Sequence, residues 1–109
     1  MESLNRIELK GVVGYKRMMK VGDRNLATFS VATTYGYKDI DGGAVMETTW
    51  HLVRAWGGNG ITEETLEKIH ERTPVSVTGR LRAQRYTDNE GNDRTTYEVI
   101  ASKVEIMEE

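Results

Sequence analysis

The residues best suited to binding chemistry are aromatic and basic side chains that recur between positions 50 and 56. Trp50, Arg54 and Trp56 occupy alternate positions there, with Leu52 among them. Alternate positions of a β-strand lie on one face about 7 Å apart, which is roughly the spacing of one to two stacked bases. Aromatic rings stack on bases and guanidinium groups attract phosphates. The pattern therefore predicts a platform for single-stranded nucleic acid.

The alternative is that both tryptophans belong to the core, which is the commoner place for a tryptophan in a strand. If the tryptophan face were buried, Arg54 would be buried with it, while Val53 and Ala55 would face water. Burying a charged group costs more than exposing small apolar ones. The phase of the strand therefore favours exposure of Trp50 and Trp56.

A second group of candidates lies near the end of the segment 75–86. Arg82 and Tyr86 share one phase there, and Arg85 stands beside them. Turning Tyr86 inward would turn Arg82 inward as well, so we expect both to face outward. The alternate positions are then expected to face the interior: Val75, Val77, Gly79, Leu81 and Ala83.

Other aromatic residues divide between surface and core. Tyr37 flanks a glycine-rich loop and is a further stacking candidate. Phe29 alternates with Val31 and is predicted to be core. Tyr97 is in phase with Val99, so a structural role is favoured for it.

Basic residues near the first strand could follow a phosphate backbone. Lys10, Lys16 and Arg17 are the candidates, and a solvated loop is an equal alternative for them. The net charge of -2 does not exclude this role, because the acids concentrate elsewhere. They lie between positions 63 and 71 and at Glu105, Glu108 and Glu109.

Catalytic and metal-binding patterns are weak. The chain has no cysteine, which excludes thiolate chemistry and disulfides. His51 and His70 lack the spacing of a metal pair, and His51 is expected on an inward face, hydrogen-bonded. Four aspartates stand where turns are expected, and residues 57–60 (GGNG) form a turn rather than a phosphate loop. We expect no enzyme, cofactor or metal site. The turn aspartates are Asp39, Asp41, Asp88 and Asp93.

The elements that would position these residues are five strands and one helix. Apolar alternation predicts strands over 4–13, 26–35, 46–56, 75–86 and 94–106, with long loops at 36–44 and 87–93. In the second strand, Thr28 and Ser30 are expected to face outward. Thr62 is expected to cap a helix that Pro74 stops. Gly11 and Gly14 suggest bending at a barrel corner.

This order predicts an all-β protein with the OB-fold, a five-stranded Greek-key barrel with one helix between strands 3 and 4. A chain of 109 residues fits one domain. No run approaches the roughly 18 apolar residues of a membrane span. With no leader pattern either, we expect a cytoplasmic protein that has no membrane partner.

Several runs in this pattern resemble the DNA-binding domain of bacterial single-stranded DNA-binding proteins. They are residues 5–11 (NRIELKG), 27–33 (ATFSVAT), 49–53 (TWHLV), 79–82 (GRLR) and 86–94 (YTDNEGNDR). The resemblance implies an OB-fold, a homotetramer and base stacking on Trp50, Trp56, Tyr86 and Tyr37. A dimer is the alternative assembly.

Two departures from that family stand out. Residues 15–19 (YKRMM) replace an Asp-Pro-Glu type of segment, and the chain ends at Glu109 without the acidic, Phe-terminated tail that recruits repair enzymes. Recruitment through a tail is therefore not expected.

The expected function is sequence-tolerant binding and protection of single-stranded DNA during replication, repair, recombination or transfer, in the bacterial cytoplasm near the nucleoid. The alternative is an OB-fold assembly module of a replication-restart complex that binds DNA weakly.

Overall fold

A computed structural model describes residues 2–58 and 60–107 as a closed barrel with one helix. Met1, Asn59, Glu108 and Glu109 lie outside the described residues, and with them parts of the GGNG turn and of the acidic C-terminal group. The elements are β1 (Ile7–Val21), β2 (Arg24–Lys38), β3 (Ala44–Trp56), α1 (Glu63–Lys68), β4 (Pro74–Thr87) and β5 (Asp93–Ile106).

The strands close in the order β1-β2-β3-β5-β4. All neighbouring pairs are antiparallel except β3 and β5, which meet in parallel at Val53–Val99 and Arg54–Ile100. This arrangement confirms the predicted OB-fold and the place of its helix between β3 and β4.

Strand β1 is shared by two partners, which bends it as the glycines predict. It pairs with β4 up to Val12 and with β2 from Val12 onward. At Gly11 a Cβ atom would run into the carbonyl of Ala32. The strand extends to Val21, beyond the predicted end at position 13, so Lys16 and Arg17 lie in a strand and not in the solvated loop given as their alternative.

The sequence pattern could not predict the longer strand because a β-bulge interrupts the alternation. The pairing shifts by one residue between Val13 and Lys16, and the hydroxyl of Ser30 accepts a hydrogen bond from the Tyr15 amide at 3.0 Å. Beyond the bulge Lys16 stands opposite Phe29, which is core, and Arg17 opposite Thr28, on the outer face. The two adjacent basic residues therefore face opposite sides of the sheet.

The core fills the barrel and is closed at one end by the segment around α1. Leu66 and Ile69 are fully buried there, together with Ile61. Thr62 caps the helix as predicted, its hydroxyl accepting from the Thr65 amide at 3.1 Å. The other core residues are Leu9, Val13, Ala27, Phe29, Val31, Val53, Ala55, Val75, Val77, Val99 and Val104.

The prediction that α1 continues to Pro74 was wrong. The helix ends at Lys68, because Ile69 is extended and buries its side chain in the core. The chain then pairs with β1: the Arg72 amide donates to the Val13 carbonyl at 2.7 Å, and the Val13 amide donates to the Thr73 carbonyl at 3.0 Å. Tertiary hydrogen bonds thus replace helical ones.

Two hairpins extend from the barrel as two-stranded arms, one of β2 and β3 and one of β4 and β5. The expected loop at 36–44 is shorter than predicted: positions 36–38 and 44 belong to strands, and residues 39–43 form the turn. Exposure rises along both arms because no second layer covers them. For this reason Leu81 and Ala83, expected to be internal, are exposed, and Tyr97, expected to be structural, is 62% exposed.

Both arms end in the same kind of turn. Oδ1 of Asp39 accepts from the amides of Asp41 and Gly43, at 3.0 and 2.7 Å. Oδ1 of Asp88 accepts in the same way from the amides two and four residues later, both at 2.9 Å. Each turn has a glycine with positive φ at its fourth position, Gly42 at 83° and Gly91 at 84°. The prediction of turn residues is confirmed for Asp39, Asp41 and Asp88, whereas Asp93 is the first residue of β5.

Among the described residues, no helix has the length and apolar character needed to cross a membrane.

Candidate nucleic-acid interface

The outer face of β3 carries the two tryptophans, in the predicted phase. Val53 and Ala55 are fully buried, whereas the side chain of Trp50 is 61% exposed. Arg54 and Trp56 are half-buried on the same side of the strand as Trp50. A large apolar ring is thus exposed beside an arginine on an ordered strand.

Trp50 is supported by small residues of β1 and β2. A Cβ atom at Gly14 would collide with the six-membered part of the indole and with the hydroxyl of Ser30, so the ring packs directly on the β1 backbone. Gly14, Tyr15, Ser30 and Trp50 line an open, mostly apolar cleft. The glycine and the bulge together hold the ring at a fixed place while leaving it accessible.

Trp56 lies in a different environment from Trp50. The guanidinium carbon of Arg24 is 5.1 Å from the centre of its ring, and Arg24 Nε donates to the Gly57 carbonyl at 3.3 Å. Such a contact is a cation–π interaction. Local sequence pattern could not predict this contact, since 32 positions separate Arg24 and Trp56.

Arg54 and Arg82 converge on Glu98, which the sequence did not single out. Arg54 Nε donates to Glu98 Oε2 at 2.5 Å, and Arg82 Nη1 lies 3.7 Å from Glu98 Oε1. Arg82 is the cross-strand partner of Glu98 between β4 and β5. Glu98 precedes the core residue Val99, so the alternation of β5 predicts that Glu98 lies on the outer side. The sequence offers this indication of its position but none of its partners.

Thr28 and Ser30 were expected to face outward, and on that face they are buried, at 8% and 6% exposure. They do lie on the outer face, but β2 runs between β1 and β3, and larger neighbours cover both residues. Thr28 has Arg17 and Arg54 as its cross-strand partners, and Ser30 lies under Trp50. Arg17 and Arg54 thus belong to one row across the sheet.

The Lys16 side chain does not lie on the outer face that carries Trp50 and Arg54. Its ammonium donates to the Leu66 carbonyl, near the end of α1, at 2.5 Å. Desolvation lowers the pKa of Lys16, and the carboxylate of Glu67 opposes that effect. The Lys16 side chain thus connects β1 to the segment that closes one end of the barrel.

Lys10 lies on the part of the barrel where β1 pairs with β4. Its pairing partner is Ser76, and the same groove contains Glu8 and Glu105. This groove is not the cleft that Trp50 lines.

The arm of β4 and β5 carries Tyr86, which is 49% exposed. Its cross-strand partner is Arg94, whose Nε donates to Asp88 Oδ2 at 2.9 Å. Tyr86 and Arg82 lie on the same face of the arm, as predicted. Arg85 and the partner pair Ala83–Tyr97 lie on the opposite face.

Tyr37 lies on the arm of β2 and β3, on the face opposite to Trp50. Trp50 pairs with Ala32, so even-numbered positions of β2 share its side of the ribbon, whereas Tyr37 is odd-numbered and pairs with Val45. Tyr37 stacks on Tyr35, with ring centres 6.0 Å apart and planes inclined by 29°.

The histidine of β3 has a side-chain partner on β2. His51 Nε2 and the Thr33 hydroxyl form a hydrogen bond of 2.9 Å, in line with the structural role expected of this histidine. Within residues 2–58 and 60–107, no three His, Asp or Glu side chains come together as metal ligands would.

Comparisons with known proteins agree with this geometry. The sequence model of the Single-strand binding protein family matches residues 4–107. Single-stranded DNA-binding protein 1 of Xylella fastidiosa (strain 9a5c) is 38% identical over 98% of this chain and 79% of its own length. Single-stranded DNA-binding protein of Xylella fastidiosa (strain Temecula1) is 28% identical over 95% of this chain, which spans 63% of that protein.

A solved structure described as a Plasmodium falciparum SSB complex with ssDNA superposes with a TM-score of 0.86. Its sequence is 25% identical, and the match covers 99% of this chain and 98% of that one. With the family match over nearly all of its length, this chain belongs to the Single-strand binding protein family.

Proposed function

We propose that this protein binds single-stranded DNA without sequence preference and performs no reaction on it. Bases stack on Trp50, Trp56 and Tyr86, while phosphates contact the arginines of the same face. Stacking tolerates any sequence because every base has an aromatic face. The phosphate contacts are assigned to Arg17, Arg54 and Arg82.

The observation that carries this proposal is the exposed, supported ring of Trp50. Trp50 is 61% exposed, so its indole leaves a large apolar surface in contact with water. Exposed apolar surface of this kind marks a binding site, because it does not stabilise the fold. Its position over Gly14 and Ser30 fixes the ring, and the arginine row of Arg17 and Arg54 runs beside it. A base can stack on the fixed ring, and its phosphate can contact the neighbouring guanidinium groups.

Two further aromatic or basic residues fit a strand that wraps around the arms. Tyr37 and Arg85 each lie on the opposite face of their arm from the central platform, so only DNA that passes around the arm would reach them. Lys10 and Lys16 lie away from this path, and we assign them no more than an indirect effect on binding.

In the cell, we propose that the protein covers and protects exposed strands during replication, repair, recombination or transfer. The names of its relatives support DNA as the ligand. The location that we propose for this role is the nucleoid of the bacterial cytoplasm. Family membership supports a homotetramer. In such an assembly one DNA strand could contact the DNA-binding faces of several subunits.

The test is a titration of oligo(dT) against tryptophan fluorescence at two salt concentrations. We expect quenching on binding and weaker affinity at the higher concentration, since phosphate contacts release counterions. Tyr86→Ala should weaken binding more than Tyr97→Ala, which removes an exposed tyrosine from the other face of the same arm. Absence of quenching, or affinity that ignores salt, would contradict the proposal.

One observation favours the alternative of an assembly module. The hairpin of β1 and β2 exposes apolar side chains that a partner protein could cover, and they are Tyr15, Met18, Met19 and Val21. Trp50→Ala separates the two functions. A DNA binder loses affinity for oligo(dT) and keeps its fold, whereas an assembly module keeps its weak DNA affinity.

A further inference from the structure

The carboxylate of Glu98 lies beneath two arginines of the proposed DNA-binding face. Its side chain is 6% exposed, against 37% for Arg54 and 51% for Arg82. Each of its oxygens faces a different guanidinium, Oε2 at 2.5 Å from Arg54 Nε and Oε1 at 3.7 Å from Arg82 Nη1. Strands β3, β4 and β5 each contribute one member of this group.

Arg54 and Arg82 form an anion-binding site, and the carboxylate of Glu98 occupies it. Guanidinium groups prefer carboxylate and phosphate oxygens and bind both through the same N–H donors. The two arginines carry two positive charges and Glu98 one negative charge, so the group presents a net charge of +1 to a phosphate. Without the carboxylate the same surface would present +2.

We infer that Glu98 limits the affinity of this face for single-stranded DNA by competing with backbone phosphate for Arg54 and Arg82. The inference rests on the proposed function and adds a residue that opposes binding to those that favour it. Because both arginines are partly exposed, a phosphate can approach them from outside while the carboxylate holds them from below. DNA binding then exchanges one anion for another instead of filling an empty site.

Stability alone does not require a charge at this position. Ion pairs with a solvent-exposed partner contribute little to folding, and a buried carboxylate loses hydration that its partners only partly replace. Glutamine has the same shape and keeps an oxygen that can accept from Arg54. The substitution Glu98→Gln therefore removes the charge while preserving the packing.

The primary test compares E98Q with E8Q in the oligo(dT) titration across a range of salt concentrations. Glu8 is a matched control, because it also pairs with an arginine, Arg6 at 2.6 Å, but on the part of β1 that pairs with β4. Both variants change the net charge equally. We expect E98Q to bind about three- to tenfold more tightly than wild type, with a salt dependence steeper by about 0.7 for each added phosphate contact. E8Q should remain within about twofold, since screening weakens distant charges.

A second variant keeps the test valid if E98Q does not fold. In the R54Q background Glu98 retains only Arg82, and E98Q can be added there without leaving the close ion pair half broken. We expect the double variant to bind more tightly than R54Q and to regain the salt dependence of wild type, because its group again carries +1. A purely structural role for Glu98 predicts no such recovery. Circular dichroism of each variant checks the fold.

The outcomes separate this inference from the function on which it rests. If wild type binds oligo(dT) and E98Q binds no more tightly than E8Q, Glu98 does not limit affinity and the proposed function stands. The same conclusion follows if the double variant is no tighter than R54Q. If wild type does not bind oligo(dT) at all, the proposed function is wrong and the inference falls with it.

Discussion

The guanidinium carbon of Arg24 lies 5.1 Å from the centre of the Trp56 ring, so one face of this tryptophan is already covered by a cation of its own chain. Trp50, six residues earlier on the same strand, has no such contact with a cation among residues 2–58 and 60–107: its ring rests on Gly14 and is 61% exposed. The two tryptophans therefore differ in what they can offer a base, although their sequence positions are equivalent in phase.

This difference predicts that Trp50 dominates the fluorescence response to DNA. The chain has two tryptophans, so W50F and W56F each isolate one of them. We expect oligo(dT) to quench the single tryptophan of W56F strongly and that of W50F weakly. A stronger response from W50F would contradict the assignment. Adding R24Q to W50F should increase quenching of Trp56 by acrylamide, since it uncovers the ring.

A small residue at position 14 is predicted to be necessary for binding. In G14A the new methyl group collides with the Trp50 ring and the Ser30 hydroxyl, so the ring must move from its place. We expect a loss of up to the roughly 1–3 kcal/mol that stacking of one base contributes in proteins of this class.

The matched control for G14A is G36A, on the arm of β2 and β3. Its methyl group would meet the flexible end of Met46, with the sulfur at 3.0 Å, which can move aside. Affinity for oligo(dT), measured by fluorescence titration, should fall for G14A and stay within about twofold for G36A, because no stacking contact changes there. Equal affinities for the two variants would refute the role of Gly14.

Two adjacent basic residues are predicted to behave differently. Arg17 lies in the outer row with Thr28 and Arg54, so R17Q should reduce the slope of log affinity against log salt by about 0.7. Lys16 instead donates to the Leu66 carbonyl. K16Q should therefore leave the slope unchanged and lower the free energy of unfolding by about 1.5–3 kcal/mol, the range for a hydrogen bond to a charged group.

Salt titrations and urea unfolding of both variants check this prediction. A change of salt dependence in K16Q comparable with that of R17Q would show that Lys16 contacts phosphate after all.

The turn of β4 and β5 is predicted to depend on pH. The Asn92 amide, and then the Arg94 guanidinium, donate to the Asp88 carboxylate and lower its pKa. A carboxyl whose pKa is lower in the folded than in the unfolded state stabilises the fold fully above the unfolded value of about 4, and this stabilisation is lost as pH falls through the folded value. We expect the amides of Glu90 and Asn92 to lose protection from hydrogen exchange below about pH 4.

The variant D88N provides the control for this titration. It has no carboxyl to protonate, so its turn should show weaker protection that does not change over the same range of pH. An unchanged pH profile in D88N would assign the transition to another group.

Strand phase was enough to predict the central part of the interface. Val53 and Ala55 could only be core, and this fixed Trp50, Arg54 and Trp56 on the outer side. The prediction of which side chains face the core failed where a bulge interrupts the alternation, and where a strand has no buried face. The bulge before Lys16 reverses the phase of β1, and the arms have no buried face, so Tyr97 is exposed despite its phase with Val99.

The contacts that decide the electrostatics could not be predicted from local pattern at all. Arg54 and Glu98 are 44 positions apart, and they meet only because β3 and β5 close the barrel in parallel. An alternating pattern identifies the side of a strand on which a residue lies, but it does not identify the residue across the sheet.

The matching turns at the two arm tips make the arms adjustable in length. Each turn depends on five residues, and the Asp side chain closes it without help from the barrel. Inserting two residues into both strands of an arm would move its tip outward by about 7 Å and keep every side chain on its face. If the arms bind DNA as proposed, the length of strand that one chain covers would change with the length of the arms, in steps of two residues per strand.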